Sequence, residues 1–380
     1  MKKIVFASLL CGLAIQSGVF AQDDDFLYRT IQIPTYNPVV NSSKAKNIII
    51  EQNDVVRNNY PTEVSEENIE KEDVLRKPAY AVGNIYYPIM SMLGKYKNEI
   101  KTVFTDIDGI LVPENYANVE FRDGIYKSVK NLKSHNIPLI FTTGRTFREA
   151  KRVSEVLDLN SKYYITQNGA EIENADGEII YEKPIDKVHL YKVYCELKSF
   201  NYIYTQDIKI AFYRRGQVYV FRNSNIPDLV DVPVVIDRFS DLPKDIKISK
   251  IRIYGKDAHN LDIFKRYLRR HYSKSLNIQD VAQNLFDINI KDATKENAVR
   301  YLAENLGVNI ENAAAFGYSR EDVGLMDYLR QNGGLAISTE ASMQEVKDAS
   351  SYITKDVEHD GFTFAIDTIL GNNLILKSDK

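Results

Sequence analysis

Apolar and polar positions along this chain switch between two periods, and the switches mark its elements. Thr102, Val103, Phe104 and Thr105 form a short apolar run that stops at Asp106. β-Branched and aromatic residues of this kind predict a buried strand. Across 121–135, Ile125, Val129 and Leu132 recur at i, i+4 and i+7, the spacing of a helix with one buried stripe. A second apolar run, 137–141, leads into Thr142, Thr143, Gly144 and Arg145, and 147–157 is helical again. Strand, helix, strand, helix predicts an α/β core with a parallel, doubly wound sheet. Farther on, 208–213 and 217–221 alternate around Arg215 and Gly216, 250–254 is another strand, and 261–271 is a basic helix. This mixture predicts an inserted α+β cap, an open sheet carrying helices. The expected domains are a core at 81–169 and 286–380 and a cap at 170–285.

The N-terminal part follows a different pattern. Lys2 and Lys3 precede an apolar run over 4–15, then small residues up to Ala21 and the acidic stretch 22–25. This is the layout of a secretory signal peptide cleaved after Ala21, so export to the periplasm or the outside is expected. The apolar run is shorter than the roughly 20 residues of a membrane span, and no stable span is expected in the mature chain. Residues 22–80 are rich in Asn, Glu and Lys with sparse apolar positions, which predicts a polar linker or partly disordered extension.

Composition narrows the function classes. The chain has 380 residues, 44% hydrophobic and 27% charged, with a net charge of -3. That is ordinary globular composition, and it lacks the long basic block of a nucleic-acid protein. Five His and the lone Cys195 of the mature chain show no zinc spacing.

Asp106 and Asp108 carry the candidate chemistry. They sit at the carboxyl end of a strand, where open α/β sheets place ligand sites, and they share one side of an extended segment. Two close carboxylates suit a divalent cation with oxygen ligands, or a nucleophile beside a general acid/base. A hydroxyl, a glycine and an arginine before a helix, as in Thr143-Gly144-Arg145, suit a phosphate.

The motifs 103–111 (VFTDIDGIL) and 141–145 (FTTGR) resemble the first two motifs of the haloacid dehalogenase superfamily. Residues 164–170 (YITQNGA) resemble the entry to the cap in its Cof-type, class IIB branch. Lys295 resembles the third motif. Residues 316–322 fall where the fourth belongs. The resemblance covers about 100–370 and implies a hydrolase of small phosphorylated metabolites, sugar phosphates among them. It implies Asp106 as a nucleophile forming an aspartyl-phosphate and Asp108 as acid/base. Thr143 and Lys295 would serve the phosphoryl group, with Gly144, Arg145 and Asn168 toward the substrate. It also implies Mg²⁺, with Asp106, Asp108, Asp322 and Glu321 as its expected ligands here.

One departure stands out. The family's fourth motif reads Gly-Asp-Ser-x-Asn-Asp, whereas Tyr318 and Glu321 stand here at the first Asp and at the Asn. A neutral phenol is a poor ligand for a hard cation. Three outcomes stay open: Asp322 and Glu321 together hold the metal, the metal binds weakly, or hydrolysis is lost and the fold binds a ligand. The sequence does not specify oligomeric state.

Overall fold

The computed structural model of the chain describes residues 96–378 except 114–120, 160, 223, 225 and 227–231. The expected signal peptide and the extension at 22–80 lie outside the described residues.

Two sheets organise the rest. The first has eight strands in the order β14-β13-β12-β1-β2-β3-β4-β5. Its centre is β1 (Thr102–Thr105), flanked by β12 (Ala313–Gly317) and β2 (Leu139–Thr142), all parallel. Outward from β2 come β3 (Tyr163–Thr166), then the antiparallel pair β4 (Glu171–Asn174) and β5 (Ile179–Glu182). Outward from β12 come β13 (Leu335–Thr339) and β14 (Tyr352–Thr354), again parallel. The chain thus runs one way from β1 to β3 and returns on the other side of β1. The order reverses between β1 and β12, the place where an open α/β sheet leaves a crevice beyond its strand ends.

Alternation of side chains gives each strand two buried faces. On one face Phe104, Ile140 and Ile165 pack against Ala298, Val299 and Leu302 of α5 (Lys295–Leu306) and Leu325, Met326 and Leu329 of α6 (Val323–Gln331). On the other, Tyr164 meets Phe147 of α2 (Phe147–Val156) edge-on at 5.2 Å, and Phe316 meets Phe362 of α8 (Gly361–Ser378) at 4.8 Å. The helix expected at 121–135 is α1 (Asp123–Ser134). Its start is tied down by Arg122, whose guanidinium makes two hydrogen bonds to Asp360 beside α8.

The second sheet has the order β10-β11-β9-β6-β7-β8. Its strands are β6 (Lys209–Arg214), β7 (Gln217–Phe221), β8 (Val234–Ile236), β9 (Lys250–Tyr254), β10 (Leu276–Ala282) and β11 (Leu285–Ile290). Ile210, Phe212, Ile251, Ile253, Phe286 and Ile288 form its apolar face, covered by α3 (Lys187–Tyr204) and α4 (Ala258–Tyr272). The helix α4 begins three residues before the expected 261, because the Asp257 carboxylate accepts the His259 and Asn260 amides and caps it.

Sheet membership departs from the expected boundaries at both ends of the insert. β4 and β5 fall inside 170–285 yet extend the first sheet, because Thr166 and Glu171 face each other across a tight hairpin. β11 runs on past 285 to Ile290 and pairs with β9 and β10. Beyond β13 the short helix α7 (Gln344–Ala349) leads to β14 at the edge.

Candidate active site

Asp106, Thr143 and Tyr318 each follow directly on one of three neighbouring parallel strands, β1, β2 and β12. That adjacency brings motifs far apart in sequence to one crevice. Asp106 is buried, its Oδ1 accepting the Ile107 amide at 2.7 Å and its Oδ2 accepting from Lys295 Nζ at 2.5 Å. Lys295 is the first residue of α5, held by the Thr294 cap. Its ammonium also reaches Asp322 Oδ1 at 2.7 Å. Asp322 Oδ2 accepts the backbone amides of Tyr318 and Ser319 at 2.8 and 3.0 Å. One ammonium thus links two carboxylates from different strand ends in a dry setting.

The electrostatics follow from this packing. Burial pushes the Asp106 carboxyl up to about 7, against the pull of Lys295 and with the push of Asp322 and Asp108. Burial alone lowers a lysine, but Asp106 and Asp322 together hold Lys295 above its ordinary value.

Asp108 turns the other way. Its two oxygens are gripped by Arg145, Nε at 2.9 Å and Nη2 at 2.7 Å. Thr143 Oγ1 accepts the Arg145 amide at 3.1 Å, which leaves its hydroxyl proton to point elsewhere. The loop after β1 needs Gly109: its φ is +76°, and a methyl there would lie 2.2 Å from Cγ of Tyr318. The Tyr318 ring therefore lies directly on the backbone that follows Asp108.

The second sheet reaches the loop after β2 with its polar face. By strand parity Lys250, Arg252, Asp287 and Asn289 oppose the apolar set above. Lys250, itself buried, donates to the Gly144 carbonyl at 2.7 Å and lies 3.3 Å from Asp287. Asp287 is also gripped by Arg252 at 2.8 and 2.9 Å. Burial drives Lys250 down, with Asp287 pulling the other way. Asn168, in a left-handed turn with φ 60°, donates to Gln279 Oε1 at 2.7 Å and to Asn289 Oδ1 at 3.3 Å.

The structure thus gathers Asp106, Asp108, Thr143, Gly144, Arg145, Lys295 and Asp322 at one crevice. Asn168, expected toward the substrate, spends its amide on the second sheet. Glu321, expected beside Asp322 in the metal set, lines a separate cleft. Neighbours on a tight 3-10 turn diverge, and Asp322 takes the inward side. Lys250, Asp287 and Asn289 were missed in the sequence; alternation on β9 and β11 is the signal that could have found them.

The residues present do not fit a Mg²⁺ ion. Among the described residues no three His, Cys, Asp or Glu side chains converge as a metal-binding group. Both Asp108 carboxylate oxygens go to Arg145, those of Asp322 go to Lys295 and two amides, and a phenyl ring stands where the family has a carboxylate.

The model of the haloacid dehalogenase-like hydrolase family matches residues 103–366. The chain belongs to that family. Family membership accounts for the reversal in strand order with Asp106 at its edge. A Bacillus subtilis relative named 5-amino-6-(5-phospho-D-ribitylamino)uracil phosphatase YcsE is 23% identical over 269 residues, 70% of this chain and 95% of that one. A haloacid dehalogenase-like hydrolase from Bacteroides thetaiotaomicron superposes with a TM-score of 0.59 at 20% identity, covering 71% of this chain and all (100%) of that one. A protein described as the subclass IIB sugar phosphatase BT4131 superposes at 0.57 with 17% identity, covering 72% and 99%. These likenesses show the same core and cap fold.

Proposed function

We propose that this hydrolase cleaves phosphomonoesters of a small metabolite, with Asp106 as nucleophile. The observation that carries the reading is the Asp106 carboxylate, buried at the end of β1 and held by Lys295 at 2.5 Å. Two relatives named as phosphatases support the same reaction.

The chemistry assigns each group a task. An Asp106 oxygen attacks phosphorus, the P–O bond to the leaving group breaks, and an aspartyl-phosphate forms. Asp108 delivers a proton to the departing oxygen, then takes one from the water that attacks the phosphoenzyme. The Arg145–Asp108 grip must open for this. An arriving phosphate offers Arg145 the same two-pronged geometry and so can release Asp108. Lys295 offsets charge between carboxylate and phosphoryl oxygens, and the Thr143 hydroxyl donates to the phosphoryl group. No step is assigned to a divalent cation, because the donor set around Asp106 does not fit one.

The test is turnover on a panel of phosphomonoesters by the wild-type chain and by Asp106→Asn. Activity that disappears in Asp106→Asn supports the reading, and equal activity in both refutes it. Export through residues 1–21 is a separate proposal resting on the charged, apolar and small-residue order there. No described helix is long and apolar enough to cross a membrane. Recovery of the chain with residues 1–21 intact, inside the cell, would defeat it.

A further inference from the structure

The loop Thr143-Gly144-Arg145 is held in place by its three carbonyls. Those of Thr143 and Arg145 accept backbone amides of the turn after β3, from Asn168 at 3.0 Å and from Gln167 at 3.0 Å. Both of these anchors belong to the core. The middle carbonyl, that of Gly144, accepts instead from Lys250 Nζ, a cap side chain on β9, at 2.7 Å. The Gly144 carbonyl and the Arg145 amide form one planar peptide unit. The N–H of that unit donates to Thr143 Oγ1 at 3.1 Å. Lys250 therefore grips one edge of a peptide whose other edge orients the Thr143 hydroxyl and whose next Cα carries the Arg145 guanidinium.

Nothing else in the cap calls for this lysine. It is buried, and taking an ammonium out of water is costly. Asp287 already has both oxygens occupied by Arg252, at 2.8 and 2.9 Å, and lies 3.3 Å from Lys250. The Tyr213 ring stands 4.7 Å from the ammonium. Ring and carboxylate thus steady the ammonium from the cap side and aim it at Gly144. The loop has little room to shift away, since a methyl on Gly144 would fall 2.6 Å from Asn168 Oδ1.

We propose that Lys250 is a positioning residue: through the Gly144–Arg145 peptide it sets Thr143 and Arg145 for the phosphoryl group, so that phosphate affinity depends on the docked cap. This rests on the phosphatase reading above and adds control of the same site by the cap. The action runs through the loop, so it is indifferent to the leaving group.

The probe is inorganic phosphate, titrated calorimetrically into wild type, Lys250→Met, Arg145→Ala and the double variant. Lys250→Met should raise the phosphate Kd about tenfold, the loss of one charge-assisted hydrogen bond. It should lower kcat/KM by about ten- to a hundred-fold, by the same factor for phosphomonoesters with different leaving groups. In the Arg145→Ala background the same substitution should cost less than about threefold, because a group that it positions is gone. A lysine that only supports the fold would lower the folded fraction and leave Kd unchanged. That outcome overturns the proposal, and so does full additivity with Arg145→Ala. Linkage is reciprocal, which gives a check on wild type should Lys250→Met not fold. Phosphate at the loop must in turn hold the cap, so hydrogen exchange over 249–254 should slow when phosphate is added; unchanged exchange there overturns the proposal. If wild type neither binds phosphate nor turns over a phosphomonoester, the phosphatase reading fails and takes this proposal with it. If wild type does both and Lys250→Met matches it, this proposal alone fails.

Discussion

Replacing Lys295 with methionine tests how the buried charges of the centre hold one another. Lys295 Nζ lies 2.5 Å from Asp106 Oδ2 and 2.7 Å from Asp322 Oδ1, and all three side chains are buried. Methionine keeps an unbranched stem, so the cavity is small and the loss is chiefly of charge. Two carboxylates are left in the core with no ammonium between them. Breaking one buried pair costs about 3–5 kcal/mol. Here one substitution strands Asp322 and leaves Asp106 to take up a proton, so a cost within that range is expected at neutral pH. The loss also depends on pH. Burial, with Lys295 opposing it, sets the Asp106 carboxyl at about 7 in the folded chain, above an unfolded value of about 3.9. Folding therefore favours the protonated form: the contribution is complete below the unfolded value and disappears as pH rises through the folded one. Without Lys295 the folded value climbs further, so the variant's deficit is largest above neutrality and narrows on acidification. Urea unfolding at about pH 8 and about pH 5 measures both quantities. A deficit below about 1 kcal/mol, the size of a surface pair, refutes the buried bridge. So does a deficit that does not shrink in acid.

Other consequences can be checked as directly. Asp106 attacks as a carboxylate, so kcat/KM should rise with pH through about 7; a profile flat through that region contradicts the assignment. Glu173 is buried and raised, by burial first and then by the neighbouring Glu171 carboxylate. Its contribution to stability is present below the unfolded glutamate value and is lost as pH rises through the folded one. Glu173→Gln should therefore flatten the decline of Tm on the alkaline side, and parallel Tm–pH curves for the two proteins would rule this out. Tyr318 blocks the cation seat, so MgCl2 should raise the Tm of Tyr318→Asp more than that of wild type. Equal shifts in the two proteins would show that the ring is not what keeps the ion out.

Much of this fold was legible because its signals are local. The strand 102–105 and the stripe Ile125, Val129, Leu132 each report burial within a few residues, and both appear as elements. The order of strand and helix then fixed the doubly wound sheet. Less legible was anything decided by pairing across distance. β4 and β5 joined the first sheet through a hairpin register, and β14 closed an edge that no periodicity announced. The site divides in the same way. Asp106, Asp108, Thr143, Arg145 and Lys295 announce themselves by position at strand ends and at a helix start. Where their side chains turn is a packing matter. That Arg145 grips Asp108, that Asn168 serves Gln279, and that Lys250 reaches Gly144 all depend on how the second sheet faces the first.

The central claim is that Asp106 takes up the phosphoryl group. Rapid acid quench of the chain during turnover of a phosphomonoester, followed by mass spectrometry of its peptides, tests it most directly. The account predicts one added phosphoryl group on the peptide carrying Asp106, and none on that peptide in Asp106→Asn. A phosphoryl group on another residue, or undiminished hydrolysis by Asp106→Asn, would contradict it.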